Sequence, residues 1–416
     1  MGRLNILLIT AAVTAVTVLA LSLAYAADSD DESRTVLSSH GVVYGGITVY
    51  TDEGISVEIT EEHDGSIVLT AITEGDDTFI GWYDSENSLL SSDTVYKVSS
   101  GTVFAYSASY TTAESGTDPE ELLTLSGGTL TVTDSDGESS DLTETGLYYA
   151  AYTDSENGIY RCFRILVDGY VSVTYEWSYS ESTEPVFGRP GIRGHTGTGS
   201  ASFSLTLDIL YSDYLHYTGI YSPSERICYY TNHGGSDSDI AHDTSFVSYD
   251  SVQDPYISQI AEYILSVTEG KSEQYRANVL LAFVQNIEYV YDSDIHGTEE
   301  YWQFPLETLF LGSGDCEDTS ILFCAIASAM GYDSAMLLFD GHMAAGIAVD
   351  GFRATRSYSS VIYRGANGWT LDTENDGVTT KTVFYYGETT TTGWLLGEIP
   401  SSVYRGYLAG FVISAS

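Results

Sequence analysis

Positive charge is scarce in this chain. Its 416 residues carry 15 Lys plus Arg against 59 Asp plus Glu, a formal net charge of −44, with three lysines: Lys97, Lys271 and Lys381. Holding a phosphate backbone requires basic residues that release its counterions, so nucleic acid and anionic lipid surfaces are excluded as partners. A dense acidic surface suits a salty or crowded extracellular setting, where it keeps a protein soluble and hydrated. A second long apolar run is also missing. The single run, Leu4 to Leu23, follows Met1-Gly2-Arg3 and precedes Ala24-Tyr25-Ala26, the order found in a secretory signal. It exceeds the ~7–15-residue core of most signals and approaches the ~20 residues that span a bilayer. Residues 1–26 are therefore expected to be a signal peptide or an N-terminal anchor, and the rest of the chain to be exported, secreted or held at the cell surface. Beyond that anchor nothing calls for lipid.

Metal-binding patterns are lacking too. His233 and His242 stand in "NHGGSDSDIAHD" without zinc spacing. "DTENDG", from Asp372 to Gly377, opens like a calcium loop, but its twelfth position is Val383 where an EF-hand needs Glu. No metal and no cofactor are expected. Of the four cysteines, Cys162 and Cys228 lie apart from Cys316 and Cys324. Export permits a disulfide between the first two, a pairing that only geometry decides.

What is present falls into segments. Residues 27–45 are polar and acidic and read as a flexible spacer. Over 46–115, "ITVYT", "ISVEIT", "SIVLTAI" and "TVFAYSASY" alternate apolar and polar residues between turns, the pattern of half-buried strands in a small β module. Residues 119–185 continue the pattern, with hairpin turns at Asp136-Gly137, Asn157-Gly158 and Asp168-Gly169, and predict a β-sandwich-like module. Residues 186–250 read as a hinge, with five glycines and Pro190 between Phe187 and Ser200, and a β-rich lead-in. The period changes in 251–416. Asp254-Pro255 opens a helix carrying Ile257, Ile260, Ala261 and Ile264 on one face, and a second runs from about Ser272 to Ile287. A third begins near Cys316, is apolar on every side, and reads as a central buried helix. Strand patterns follow it ("SAMLLF", "HMAAGIAVDG", "GWTLDT", "KTVFYYGETT"). Helices first and a sheet afterwards predict an α+β domain.

The stretch "GSGDCEDTS" sets Cys316 at the mouth of that helix between Asp315, Glu317 and Asp318. A helix N-terminus lowers a thiol pKa from its usual ~8.5. The acids oppose that shift if they face the sulfur, but they can instead bind free N–H groups and point away. A thiol also needs a base and a group that orients the base. His342 leads a strand after a Gly turn, and Glu388 ends another, so a Cys–His–acid triad is expected. Asp372 at the end of "GWTLD" is the competing acid. Cys324 is expected in the core, and Trp82 and Tyr96 are expected to be core aromatics.

These residues also carry resemblances. "YWQFPLETLFLGSGDCEDTSILFCAIASAMGYDSAMLLFDGHMAAGI", with "YYGETTTTGWLLGEIP" after it, resembles the transglutaminase-like domain of secreted proteins, within the papain-like cysteine peptidase and transglutaminase superfamily. The likeness spans about Tyr211 to Tyr407. It implies a central helix packed on an antiparallel sheet, with Cys316 as nucleophile, His342 as general base and acid, and Glu388 as orienting carboxylate. Many relatives have Asp at that last position. Gln303 stands where an oxyanion-stabilising amide is expected, with Trp302 beside it at the substrate. The implied activity is a secreted cysteine hydrolase or acyltransferase acting on amide bonds of an extracellular protein or a cell-wall or surface-layer peptide. Hydrolysis is favoured over transamidation, since no channel that excludes water is evident. A non-catalytic adhesion protein on the same fold is the alternative. Nearer the N-terminus, "FIGWYDSENSLLSSDTVYKVSSGTVFAYSASY" resembles one copy of the β-grasp-like repeat of internalin-type surface proteins.

Overall fold

Alternation of apolar and polar residues builds most of the structure, a computed structural model that describes residues 34–62, 64–73, 78–181, 199–218, 254–339, 341–353, 368–375, 378–400, 403 and 408–413. The expected signal or anchor and much of the 186–250 lead-in lie outside them. Among the described residues no helix is long and apolar enough to cross a membrane. The chain divides into two units, Met1–Asp168 and Gly169–Ser416.

The first unit is built from strands. They are β1 (Arg34–Ser38), β2 (Val42–Tyr44), β3 (Ile47–Thr51), β4 (Ile55–Glu61), β5 (Ile67–Thr73), β6 (Phe79–Tyr83) and β7 (Leu89–Ser91). After these come β8 (Val95–Val98), β9 (Gly101–Ser107), β10 (Thr111–Ala113), β11 (Thr129–Thr133), β12 (Gly146–Asp154) and β13 (Ile159–Val167). One short helix, α1 (Pro119–Leu122), is started by the Asp118 side chain, which accepts the Glu120 N–H. A four-stranded sheet runs β1-β4-β5-β8, and a nine-stranded one runs β11-β12-β13-β3-β9-β6-β7 with β10 on β13 and β2 on β3. Inward residues of both sheets, among them Val49, Val57, Leu69, Trp82 and Val103, share a core.

Two expectations differ here. The end of the acidic spacer forms β1 and β2. Strands of the stretches 46–115 and 119–185 share one sheet, because β3 and β9 of the first join β12 and β13 of the second. Alternation marks a strand but does not say which edge completes its hydrogen bonds. Trp82 is fully buried, donates from Nε1 to the Asp93 carbonyl at 2.9 Å, and stacks against Tyr96. Cys162 is a buried thiol that donates to the Ala105 carbonyl at 3.4 Å; Cys228, its expected partner, lies outside the described residues.

The second unit is mixed α and β. It opens with a hairpin of β14 (Tyr170–Glu181) and β15 (Gly199–Leu210), in register from Tyr170 opposite Leu210 to Glu181 opposite Gly199. Alternate residues Tyr175, Trp177, Tyr179, Leu205, Leu207 and Ile209 point into the core. Helices follow as α2 (Tyr211–Thr218), α3 (Pro255–Val267), α4 (Glu273–Val284), α5 (Asp292–Ile295), α6 (Pro305–Leu311) and α7 (Cys316–Ala329). Asp254 and Ser272 cap α3 and α4 as their sequence types predict. In α7 every residue from Glu317 to Ala327 is buried, so it is a central helix, and Gly331 takes a φ of 84° just beyond its end. Two short strands, β16 (Glu288–Tyr289) and β17 (Ser313–Gly314), pair in parallel ahead of α7, and the helix packs on a five-stranded antiparallel sheet. The strands of that sheet are β18 (Ser334–Phe339), β19 (His342–Ile347), β20 (Gly368–Asn375), β21 (Val378–Gly387) and β22 (Leu408–Ile413), in the order β20-β21-β19-β18-β22.

The hairpin moves the start of this unit back from 186 to Gly169. Trp177 of β14 packs edge-on against Phe283 of α4 at 5.0 Å. A fragment 169–416 is expected to unfold cooperatively, whereas one beginning at 186 lacks β14 and exposes the α4 face. Thermal unfolding followed by circular dichroism separates them. Equal midpoints would show that the hairpin contributes nothing to this core.

Candidate active site

Cys316 is the first residue of α7. The Asp315 side chain accepts the Glu317 N–H, and the Asp318 side chain accepts the Asp315 N–H, a reciprocal cap that fixes the first turn. His342 opens β19 directly after Gly341, whose φ of 68° makes the tight turn out of β18. Glu388 follows Gly387, the last residue of β21, which pairs with Ala345. Continuing that antiparallel register sets Glu388 two positions from His342 along β19.

The structure brings two of the expected residues into direct contact. His342 Nε2 lies 3.3 Å from Glu388 Oε2. The backbone N–H of Met343, the residue after the histidine, acts to lower the Cys316 pKa, and the start of α7 packs on β19. Glu388 is almost completely buried. Burial alone would raise its pKa, but the hydrogen bond and charge of His342, with donation from Tyr386 and Thr390, outweigh it and hold the carboxyl at about 2. Tyr386 Oη donates to Oε2 at 2.7 Å, while Thr390 donates to Oε1 from Oγ1 at 2.7 Å and from its N–H at 3.2 Å. Gln285 donates to the Glu388 carbonyl at 2.7 Å and fixes the strand end on α4. Tyr386 and Thr390 escaped the sequence reading. Alternation points to Tyr386, two residues before Glu388 at the end of β21, while Thr390 reaches the carboxylate through a local turn beyond the strand.

Asp372 lies elsewhere. It is inside β20, paired with Lys381, and not at the end of its strand. Lys381 is six residues of strand, ~20 Å, from Gly387. The side chains of β20 are outside the description, but the backbone separation removes Asp372 from His342.

Three further expectations change. Glu317 does not point away from the thiol: Cys316 Sγ donates to its Oε2 at 2.9 Å. Burial, then the charges of Glu317 and Asp315, raise the Cys316 pKa well above the ordinary thiol range, and the Met343 N–H opposes them. Trp302 is 1% exposed and belongs to the core, not to an open substrate groove. Gln303 is fully buried, with its N–H given to Asp318 at 2.7 Å and its Nε2 lying 3.3 Å from His296 Nε2. The amide expected at an oxyanion is thus turned toward His296. Cys324, as expected, is core.

No family model and no curated protein matches the chain. Among solved structures, a candidate protease from Parabacteroides distasonis ATCC 8503 is similar over 84% of this chain and 71% of its own. The identity is 10% and the TM-score 0.21, a likeness too slight to carry an argument.

The Glu388 environment predicts a pH signature. A carboxyl held at about 2 instead of an ordinary 4.5 adds stability that is complete above the unfolded value and lost as pH falls toward the folded one. That is about 3 kcal/mol at most for this buried group. The stability gap between wild type and Glu388→Gln, from denaturant unfolding at pH 2 to 6, should be constant above about pH 5 and narrow toward pH 2. A gap that does not change with pH would contradict the ionised, donor-rich Glu388 described above.

Proposed function

We propose that the second unit is a cysteine hydrolase or acyltransferase acting on amide bonds, with Cys316 as nucleophile, His342 as general base and acid, and Glu388 as orienting carboxylate. The observation that carries this reading is the His342–Glu388 contact beside the N-terminus of the buried helix that bears Cys316. With Nε2 facing Glu388, Nδ1 is the ring nitrogen that this reading assigns to accept the thiol proton. The thiolate then attacks the amide carbon, and His342 returns the proton to the leaving amine as a thioester forms. Water completes hydrolysis; an amine in its place would complete transamidation. Glu388 keeps the ring in one tautomer and stabilises its protonated form. A helix with cysteine at its start, packed on an antiparallel sheet, is in keeping with a transglutaminase-like domain of the papain-like superfamily. The acidic composition and N-terminal apolar run support an exported protein, free or anchored, whose substrate is an extracellular protein or a cell-wall or surface-layer peptide. In this reading the first unit is an accessory surface module.

A second reading, a non-catalytic surface protein on this fold, draws on the Glu317 contact, which favours a protonated, quiet thiol. Labelling separates the two. A peptidyl electrophile should modify Cys316 while Cys162 and Cys324, both fully buried, stay intact. His342→Ala should slow labelling ~10²–10⁴-fold, the usual contribution of a general base. Asp372→Asn should leave the rate unchanged. Cys316 labelling that is equally fast without His342 would favour the non-catalytic reading.

A further inference from the structure

Five carboxylates converge beside Cys316. Asp292 comes from α5, Glu300 from the loop after it, and Asp315, Glu317 and Asp318 from the start of α7. Oxygens of Asp292, Glu300 and Glu317 all lie within 4.8 Å of one another, and so do oxygens of Asp292, Asp315 and Asp318. Two ligands of one ion at ~2.4 Å can be no farther apart than ~4.8 Å, a condition that each group meets by itself. Four of the five residues are buried and Glu300 is half-buried. Among the described residues, the charge that favours their ionisation is His342, acting on Asp315, and no lysine or arginine is among their main partners. Buried like charges of this number need either shared protons or a cation.

A separate observation points to the cation. Asp292 is 1% exposed. Its Oδ2 accepts the Tyr301 N–H, but its Oδ1, shut off from water, has no hydrogen-bond partner. A buried carboxylate oxygen without a donor is costly, and Asp292 is the member common to both groups of oxygens. Gly314 leaves room for the cluster: a Cβ there would come within 2.8 Å of Asp318 Oδ2.

We propose that these residues form a calcium site centred on Asp292, with Glu300 and Glu317 as further ligands and Asp315 and Asp318 bracing the loop. The donors are all carboxylate oxygens, which selects a hard cation, and Ca²⁺ accepts six to eight oxygens in irregular geometry where Mg²⁺ demands an octahedron. No local sequence motif announces this site because its ligands lie on three segments, unlike the contiguous loop of an EF-hand. A cation beside Glu317 would also put positive charge next to the cysteine, a regulatory consequence that rests on the proposed function, although the binding itself does not.

The test therefore uses full-length Cys316→Ala protein, stripped with chelator and titrated with Ca²⁺ by calorimetry in about 0.15 M salt, which screens weak surface binding. One equivalent should bind and saturate below about 1 mM, the range of extracellular calcium modules. Asp292→Asn and Glu317→Gln, checked for folding by circular dichroism, should each weaken that equivalent by about tenfold or more as ligand charge is removed. A calcium-dependent rise in melting temperature should disappear with it, which gives a second readout. Absence of a discrete equivalent, unchanged binding in both variants, or preferential occupation by Mg²⁺ or Zn²⁺ would overturn the proposal. Because this protein lacks the nucleophile, failure of calcium binding and failure of the cysteine chemistry remain distinguishable.

Discussion

The packing of α7 into the core of the second unit sets the position of every group at the candidate site. A helix buried on all sides can be placed in few ways, because its Ile321, Leu322, Phe323 and Ile326 contact strands on one side and helices on the other. Its first turn is thereby fixed next to the start of β19. The start of α7 and the start of β19, 26 residues apart in sequence, come together with both ends defined by caps and turns: Asp315 at one and Gly341 at the other.

Around that meeting point the fold treats carboxylates in two opposite ways. Glu388 is buried but receives donors at both oxygens and a histidine at one, so it stays ionised far below its ordinary pKa. Glu317 is buried among other acids, and burial and the Asp315 charge raise it well above its ordinary pKa. The first arrangement holds an imidazole in place; the second presses negative charge toward the sulfur. A cation among the acids would rebalance these opposing environments.

Much of this was legible in the sequence. Alternation located the strands, Asp254-Pro255 and Ser272 started their helices, and the unbroken apolar face of α7 identified it as central. Cys316, His342 and Glu388 stood out by residue type at element ends. Partnership was not legible. The strand ending in "YEWSYS" reads the same whether it pairs backward or forward, and only its aromatic contacts with α4 assign it to the second unit. The acid cluster was hidden because Asp292 and Glu300 reach α7 through tertiary packing, and Glu317 could equally have faced solvent. Tyr386 was recoverable from period two but is a common residue in strands, and Thr390 reaches Glu388 through a local turn. The Gly- and Pro-containing lead-in and the N-terminal run remain sequence readings.

The tautomer of His342 tests the central claim most directly. In protein labelled with ¹⁵N-histidine, long-range ¹H–¹⁵N correlation spectra distinguish a protonated Nε2 from a protonated Nδ1. With the ring neutral, the account predicts the proton on Nε2, donated to Glu388, and the lone pair on Nδ1, where the proposed proton transfer needs it. A ring protonated on Nδ1 would leave no base facing the thiol and would contradict it.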